Sequence, residues 1–332
     1  MTKKIILRKG KRQRLELSNS DLQLLAFLER HRLLTLQQFY KVAVHLYDIR
    51  MKEYSFKNRI RKFEEYYLIR SKTYSEGFEG ERFKYLCIGS KGIDLLIERE
   101  FLDHSYNKTG IYKFNQKKNL IHFMATQQAV INIISGLNGK LISDINTKEH
   151  KYGILYDVVT FSHSPADFPY TEWIRRERNL HRQNSGSYHA KTAKYMNGYS
   201  SATGLRGSTM TIVKPDWIIE LKGIKETRDA IINIELDMGT EPIETLAQKL
   251  FKYAIVAEKN PDVLHIMNIV IADNSFSNRS TLSNGITRAN NIINRFREDS
   301  AVIKRVEESG LIPIVRPLKL NTETVTDILS KA

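Results

Sequence analysis

Between positions 214 and 253 this chain sets acidic residues into apolar, strand-forming runs, and few folds tolerate that. Lys214-Pro215-Asp216-Trp217-Ile218-Ile219 and Asn233-Ile234-Glu235-Leu236-Asp237-Met238-Gly239-Thr240-Glu241 place carboxylates at the ends of two such runs. Gln248-Lys249-Leu250-Phe251-Lys252-Tyr253 follows in a helical pattern that carries lysines. Asp216 and Glu235 lie 19 positions apart, room for one strand, a turn through Lys222-Gly223 and a return strand. Adjacent strands are about 5 Å apart, so the two side chains are within reach of one cation. A hard ion such as Mg²⁺ or Mn²⁺ takes oxygen ligands and leaves places for water and a phosphate. The candidate site is therefore Asp216, Glu235 and Asp237 as metal ligands, with Lys249 as the cationic partner. A plainer reading stands beside it: Asp216 as a turn residue after Pro215, with Glu235 and Asp237 on the solvent face of an edge strand. Carboxylates among Ile231, Ile232, Ile234 and Leu236 are costly to bury unless paired, which favours a site.

Around this segment strands and helices alternate from Lys140. Strand-like runs occur at 141–143 and 154–159, and a charged helix begins near Pro169. A polar stretch from Arg182 to Arg206 carries His189, Lys191 and Lys194. Thr240 is the expected cap of a helix with Pro242 in its first turn, with Ile243, Leu246, Leu250 and Tyr253 as its buried stripe and Lys249 at the margin. A strand from Leu264, a helix through Ile286, Ile293 and Phe296, and a last run from Ile312 complete an α/β domain with a central mixed sheet over 119–320. Residues 321–332 are expected as a tail.

Charge separates the two ends of the chain. The total is +15, but residues 1–120 hold 26 Lys and Arg against 14 Asp and Glu, while the rest hold 26 against 23. Lys3, Lys4, Arg8, Lys9, Lys11, Arg12 and Arg14 precede the first acid, Glu16, so residues 1–17 read as a basic arm for a polyanion. Residues 18–102 have the element order of a winged helix-turn-helix. One helix is capped by Ser20, a second follows Thr35, and a third, capped by Ser55, repeats Phe56, Ile60, Phe63 and Tyr67 on one stripe. Lys57, Asn58, Arg61 and Lys62 fall off that stripe and make it the candidate recognition helix. Two strands around the turn 75–80 form the expected wing, presenting Arg70, Lys72, Arg82 and Lys84 to a duplex backbone. A protein-contact use of the same fold is the alternative. Residues 103–118 are polar and read as a linker, followed by an amphipathic helix from Asn119 to about Leu137.

Other classes find little support. Cys87 is the single cysteine, so no internal disulfide framework exists. No apolar run approaching a membrane span is expected, which together point to a cytoplasmic protein. There is no Gly-x-x-x-x-Gly-Lys-Ser/Thr loop for nucleotide hydrolysis and no paired-histidine metal motif of a relaxase.

On the winged-helix pattern, the Glu172-Trp173-Ile174-Arg175-Arg176-Glu177-Arg178 segment, Lys214-Pro215-Asp216, and Glu235 to Pro242 with Lys249 and Tyr253, the chain resembles the replication-relaxation proteins of bacterial plasmids and mobile elements. The resemblance implies a DNA-binding role in replication, relaxation or transfer, as an accessory or regulatory factor, with double-stranded DNA and replication or conjugation proteins as partners. The second half is also similar, more remotely, to the PD-(D/E)xK nuclease superfamily. That likeness implies Asp216 and Glu235 as metal ligands, with Glu172 or Glu177 as a further acid. Asp237 stands where the superfamily has its lysine, so an active Mg²⁺-dependent nickase or endonuclease would need Lys249 to supply the charge. A protein-interaction adaptor is the third reading.

Overall fold

The computed structural model describes residues 5–9, 13–47, 49–75, 82–106, 120–137, 156–163, 215–224, 226–273 and 282–331. Lys3, Lys4, Lys11, Arg12, the wing turn, most of the expected linker, the strand at 141–143, Glu172, Glu177 and the polar stretch 182–206 lie outside them. The fold is mixed α/β and divides into two compact units, the first running to Met124 and the second from Ala125.

In the first unit, Ile5–Lys9 (β1) and Gln13–Leu17 (β2) form an antiparallel hairpin in which Ile5 pairs with Leu17. The segment expected as a free basic arm is thus a ribbon anchored by the buried Ile5, Leu15 and Leu17. Helix α1 (Asn19–His31) is capped by Ser18 rather than Ser20, because Asp21 three residues on can reciprocate: the Ser18 hydroxyl accepts from Asp21 N and Asp21 Oδ2 accepts from Ser18 N. Helix α2 (Leu36–His45) starts on Thr35 as expected, with Gln38 completing the same kind of box. Helix α3 (Glu53–Glu65) begins two residues before the expected Ser55 cap and buries Phe56, Ile60 and Phe63. Tyr67 does not continue the stripe. The helix stops at Tyr66, which is buried, and the turn throws Tyr67 outward to 54% exposure.

The strands Leu34–Thr35 (β3), Ile69–Ser75 (β4) and Arg82–Ile88 (β5) make a sheet in the order β3-β5-β4, all antiparallel. Helix α4 (Ser90–Glu98) follows, with Gly89 at its N-cap. Gly89 is required there, since a Cβ on it would fall 2.2 Å from Tyr67 O.

Helix α5 (Leu120–Leu137) is, by length and composition, apolar enough to cross a membrane, which corrects the expectation that no such run exists; 67% of it is buried. The second unit is built on the five strands Tyr156–Ser162 (β6), Trp217–Gly223 (β7), Ala230–Asp237 (β8), Leu264–Ile271 (β9) and Ile312–Pro317 (β10). Their order is β10-β9-β8-β7-β6. β6, β7 and β8 run as an antiparallel meander, and β9 and β10 then lie parallel to β8. The first parallel crossover is helix α6 (Ile243–Glu258), the second the pair α7 (Leu282–Glu298) and α8 (Ser300–Ser309). Strands β8 and β9 are buried along their full length, as strands covered on both faces must be. One face packs Ile218, Ile231, Met267, Ile269 and Ile271 against α6, α7 and α8.

The residues expected as a C-terminal tail instead belong to helix α9 (Leu318–Lys331), with Leu318, Val325 and Leu329 buried. Asn321 of this helix is fully buried and exchanges two amide hydrogen bonds with Asn268 of β9, at 2.7 and 3.0 Å. That pairing satisfies two polar side chains that burial would otherwise penalise.

Candidate functional site

Side chains alternate along a strand, so Glu235 and Asp237 of β8 share the face covered by α6. Trp217 pairs with Ile234, which puts Asp216, one residue before β7, directly across from Glu235. Asp216 Oδ2 accepts a hydrogen bond from Leu236 N at 2.9 Å, holding the entry to β7 against the end of β8. Asp216 and Glu235 therefore lie opposite each other at the ends of two neighbouring antiparallel strands, with Asp237 two residues further along β8.

Their compensation comes from the helices above. Lys249 Nζ lies 2.8 Å from Glu235 Oε2 and 3.0 Å from Glu241. The Tyr253 hydroxyl, one helical turn on, donates to Glu235 Oε1 at 2.6 Å. Asp237 Oδ1 accepts from Gly239 N at 2.8 Å and its Oδ2 faces Arg288 Nε of α7 at 2.8 Å. Arg288 also donates to the Glu241 carbonyl, so one guanidinium ties β8, the turn after it and α7 together. Gly239 has φ 82°, a left-handed turn that lets the chain reverse around Asp237.

Glu235 is 3% exposed and Asp237 1%. Burial pushes the Glu235 carboxyl up to about 7; the Lys249 ammonium pulls it down and Asp216 pushes it further up. Burial works against the Lys249 ammonium, but Glu235 and Glu241 more than offset it and hold it above its ordinary range. Lys252 is lowered by burial and by Lys249 beside it.

Whether these residues suit a divalent cation depends on one exchange. Asp216 and Glu235 face each other as oxygen donors, but among the described residues no group of three or more His, Cys, Asp or Glu is placed to hold a metal ion. Both oxygens of Glu235 and both of Asp237 already accept from protein donors. Asp216 and Glu235 would be the residues to hold a divalent cation, which would compete with the Lys249 ammonium for Glu235. Tyr253, Glu241 and Arg288 are the members that sequence reasoning missed. Tyr253 was legible one helical turn from Lys249 and Glu241 in the turn just before α6, but nothing local marks Arg288, 51 positions from Asp237.

The first unit carries a basic face. On α3, Lys57, Arg61 and Lys62 are exposed and Asn58 is half-buried. Lys57 pairs with the exposed Glu53, at 2.9 Å, an i,i+4 contact. Tyr54, 76% exposed at the start of the same helix, extends this face and was not singled out by sequence. Arg59 points the other way: it reaches Asp21 through Nε at 3.2 Å and the Glu16 carbonyl at 2.6 Å, and serves the fold. In the β4–β5 ribbon Arg70 and Lys84 are exposed and Lys72 half-buried, and Lys84 lies 3.8 Å from Glu64; the Arg82 side chain lies outside the described residues.

The replication-relaxation family model matches residues 25–264, which is most of the chain. The chain belongs to the replication-relaxation family. This ties it to replication and relaxation, the processes that name the family. The matched span includes α3, the β4–β5 ribbon, Asp216, Glu235, Asp237, Glu241, Lys249 and Tyr253, but ends before Arg288. No curated protein and no solved structure matches.

Proposed function

We propose that this replication-relaxation protein is a DNA-binding accessory or regulatory factor whose first unit, a winged helix, reads duplex DNA through α3 while the β4–β5 ribbon touches the backbone. The observation that carries the reading is the outward face of α3. Tyr54, Lys57, Arg61 and Lys62 are all exposed there, on a helix whose other side is anchored by Phe56, Ile60 and Phe63. A rigid helix with exposed cations on one side and a strand ribbon beside it suits groove entry with phosphate contacts at the flank. The acidic face of the second unit supports an accessory role, because its carboxylates are neutralised by Lys249 and Arg288. Reversing Lys57, Arg61 and Lys62 to Glu is expected to weaken duplex binding by about a hundredfold or more, since phosphate contacts supply much of the affinity. Wild-type affinity that does not change with salt would overturn the proposal.

A second reading, a Mg²⁺-dependent nickase, is favoured by Lys249 sitting 2.8 Å from Glu235, where the missing motif lysine would be needed. Bound there, the ion would supply charge stabilisation at a phosphate. Asp216 and Glu235 would hold it, and Lys249 would steady the phosphate's charge. Incubation with supercoiled plasmid and Mg²⁺ or Mn²⁺ decides. Nicked product from the wild type and none from Lys249→Ala supports this reading, and no nicking by the wild type removes it.

A further inference from the structure

Tyr67 breaks two local rules at once. It follows the C-cap of α3 with φ 60°, a left-handed backbone that favours glycine or asparagine, and its ring points into solvent. The backbone around it is pinned. Tyr67 N donates to Glu64 O and Leu68 N to Phe63 O, both at 2.9 Å, and Gly89 N closes on Leu68 O at 2.8 Å. Glu100 has the same backbone after α4, so the conformation alone marks nothing. What singles out Tyr67 is its surroundings. Lys9 of β1 and Lys91 of α4, remote from each other in sequence, place their ammoniums 5.6 and 5.4 Å from the ring centroid. Lys9 is steadied there by the Glu65 carbonyl at 3.1 Å.

A half-exposed aromatic ring on a stiff turn, with two exposed ammoniums standing over it that are free to swing to phosphates, matches the chemistry of one nucleotide: a base that takes an ammonium's place on the ring and phosphates on either side. Bases in a duplex are already stacked on their neighbours, so such a platform takes an unpaired one. We propose that Tyr67, Lys9 and Lys91 form a contact for single-stranded DNA, distinct from α3, in which a base stacks on Tyr67 and the flanking phosphates pair with the two lysines. The proposal rests on the reading that the protein binds DNA, and it adds the strand state that the surface selects.

The test uses the full chain with fluorescently labelled oligothymidylate and, separately, a labelled duplex, read by anisotropy. Tyr67→Ala is expected to lower oligothymidylate affinity by about tenfold or more, the range for removing one base stack, and to leave duplex affinity unchanged. Tyr67→Gly guards against misfolding: glycine suits φ 60°, so this variant should melt no lower than the wild type while showing the same fall in affinity. Replacing Lys9 and Lys91 with Gln should reduce the slope of log affinity against log salt by about 1.4 for oligothymidylate. Tyr67→Trp should bind and have its fluorescence quenched on addition of the strand. Unchanged oligothymidylate affinity in Tyr67→Gly, or equal losses for strand and duplex, overturns the proposal. The two readings fail separately. A wild type that ignores duplex but binds oligothymidylate through Tyr67 removes the α3 reading alone, and duplex binding abolished by reversing α3 with strand binding indifferent to Tyr67 removes this one alone.

Discussion

Glu235 faces an ammonium on one oxygen and a phenol on the other, inside a sheet where a carboxylate has little water to lean on. Its raised pKa has a definite consequence. Between about 4.5 and about 7 the folded protein keeps a proton that the unfolded chain has released, so this group's contribution to stability is whole below 4.5 and is lost as pH rises through 7. Denaturation midpoints should show this as a difference: Glu235→Gln gains on the wild type as pH climbs from about 5 to about 8, and a constant gap between the two would contradict it. Arg288 makes the second prediction. The Asp237 side chain is fully enclosed, and removing its guanidinium partner leaves a buried charge alone. Arg288→Ala should cost about 3–5 kcal/mol in chemical denaturation, and adding Asp237→Asn should recover part of the loss.

At the scale of elements, the β1–β2 ribbon does more than carry charge. Leu15 and Leu17 are buried, and Arg59 of α3 holds both the Glu16 carbonyl and Asp21. Removing residues 1–14 strips β2 of its pairing strand, so a truncated protein should melt several degrees lower besides binding DNA less tightly. An unchanged melting temperature would show that the ribbon is dispensable to the fold. Helix α9 is docked by the Asn268–Asn321 pair. Asn321→Ala leaves the other amide buried without its partner, and should cost about 2 kcal/mol by denaturant titration.

For the molecule as a whole, the governing quantity is where its charge lies. The excess of +12 in residues 1–120, 26 basic against 14 acidic, is a long-range attraction for any polyanion, whereas the remainder is close to balance. Intact protein should therefore bind duplex with a steep salt dependence, and reversing Lys57, Arg61 and Lys62 should reduce the slope by about 0.9 for every phosphate that the variant no longer neutralises. A triple variant with weaker binding but the wild-type slope would mean that those residues act on the fold and not on phosphates.

What the sequence determined by itself is what local chemistry can encode. Apolar runs with acids at their ends announced β7 and β8, a 3.6-residue stripe announced α6, and Thr35 announced the start of α2. The convergence of Asp216 and Glu235 was legible because a single turn separates their strands. Tertiary structure decided the rest. Which serine caps α1 depended on Asp21, itself held by Arg59 from another helix. Tyr67 left its stripe because the chain turns at Tyr66 and packs against Gly89. Asp237 acquired Arg288 from 51 residues away, and α9 became part of the second unit through Asn268. Such partners meet only once the sheet has assembled, since a charge or an amide chooses its counterpart by distance in space and by the water excluded around it, neither of which is written along the chain.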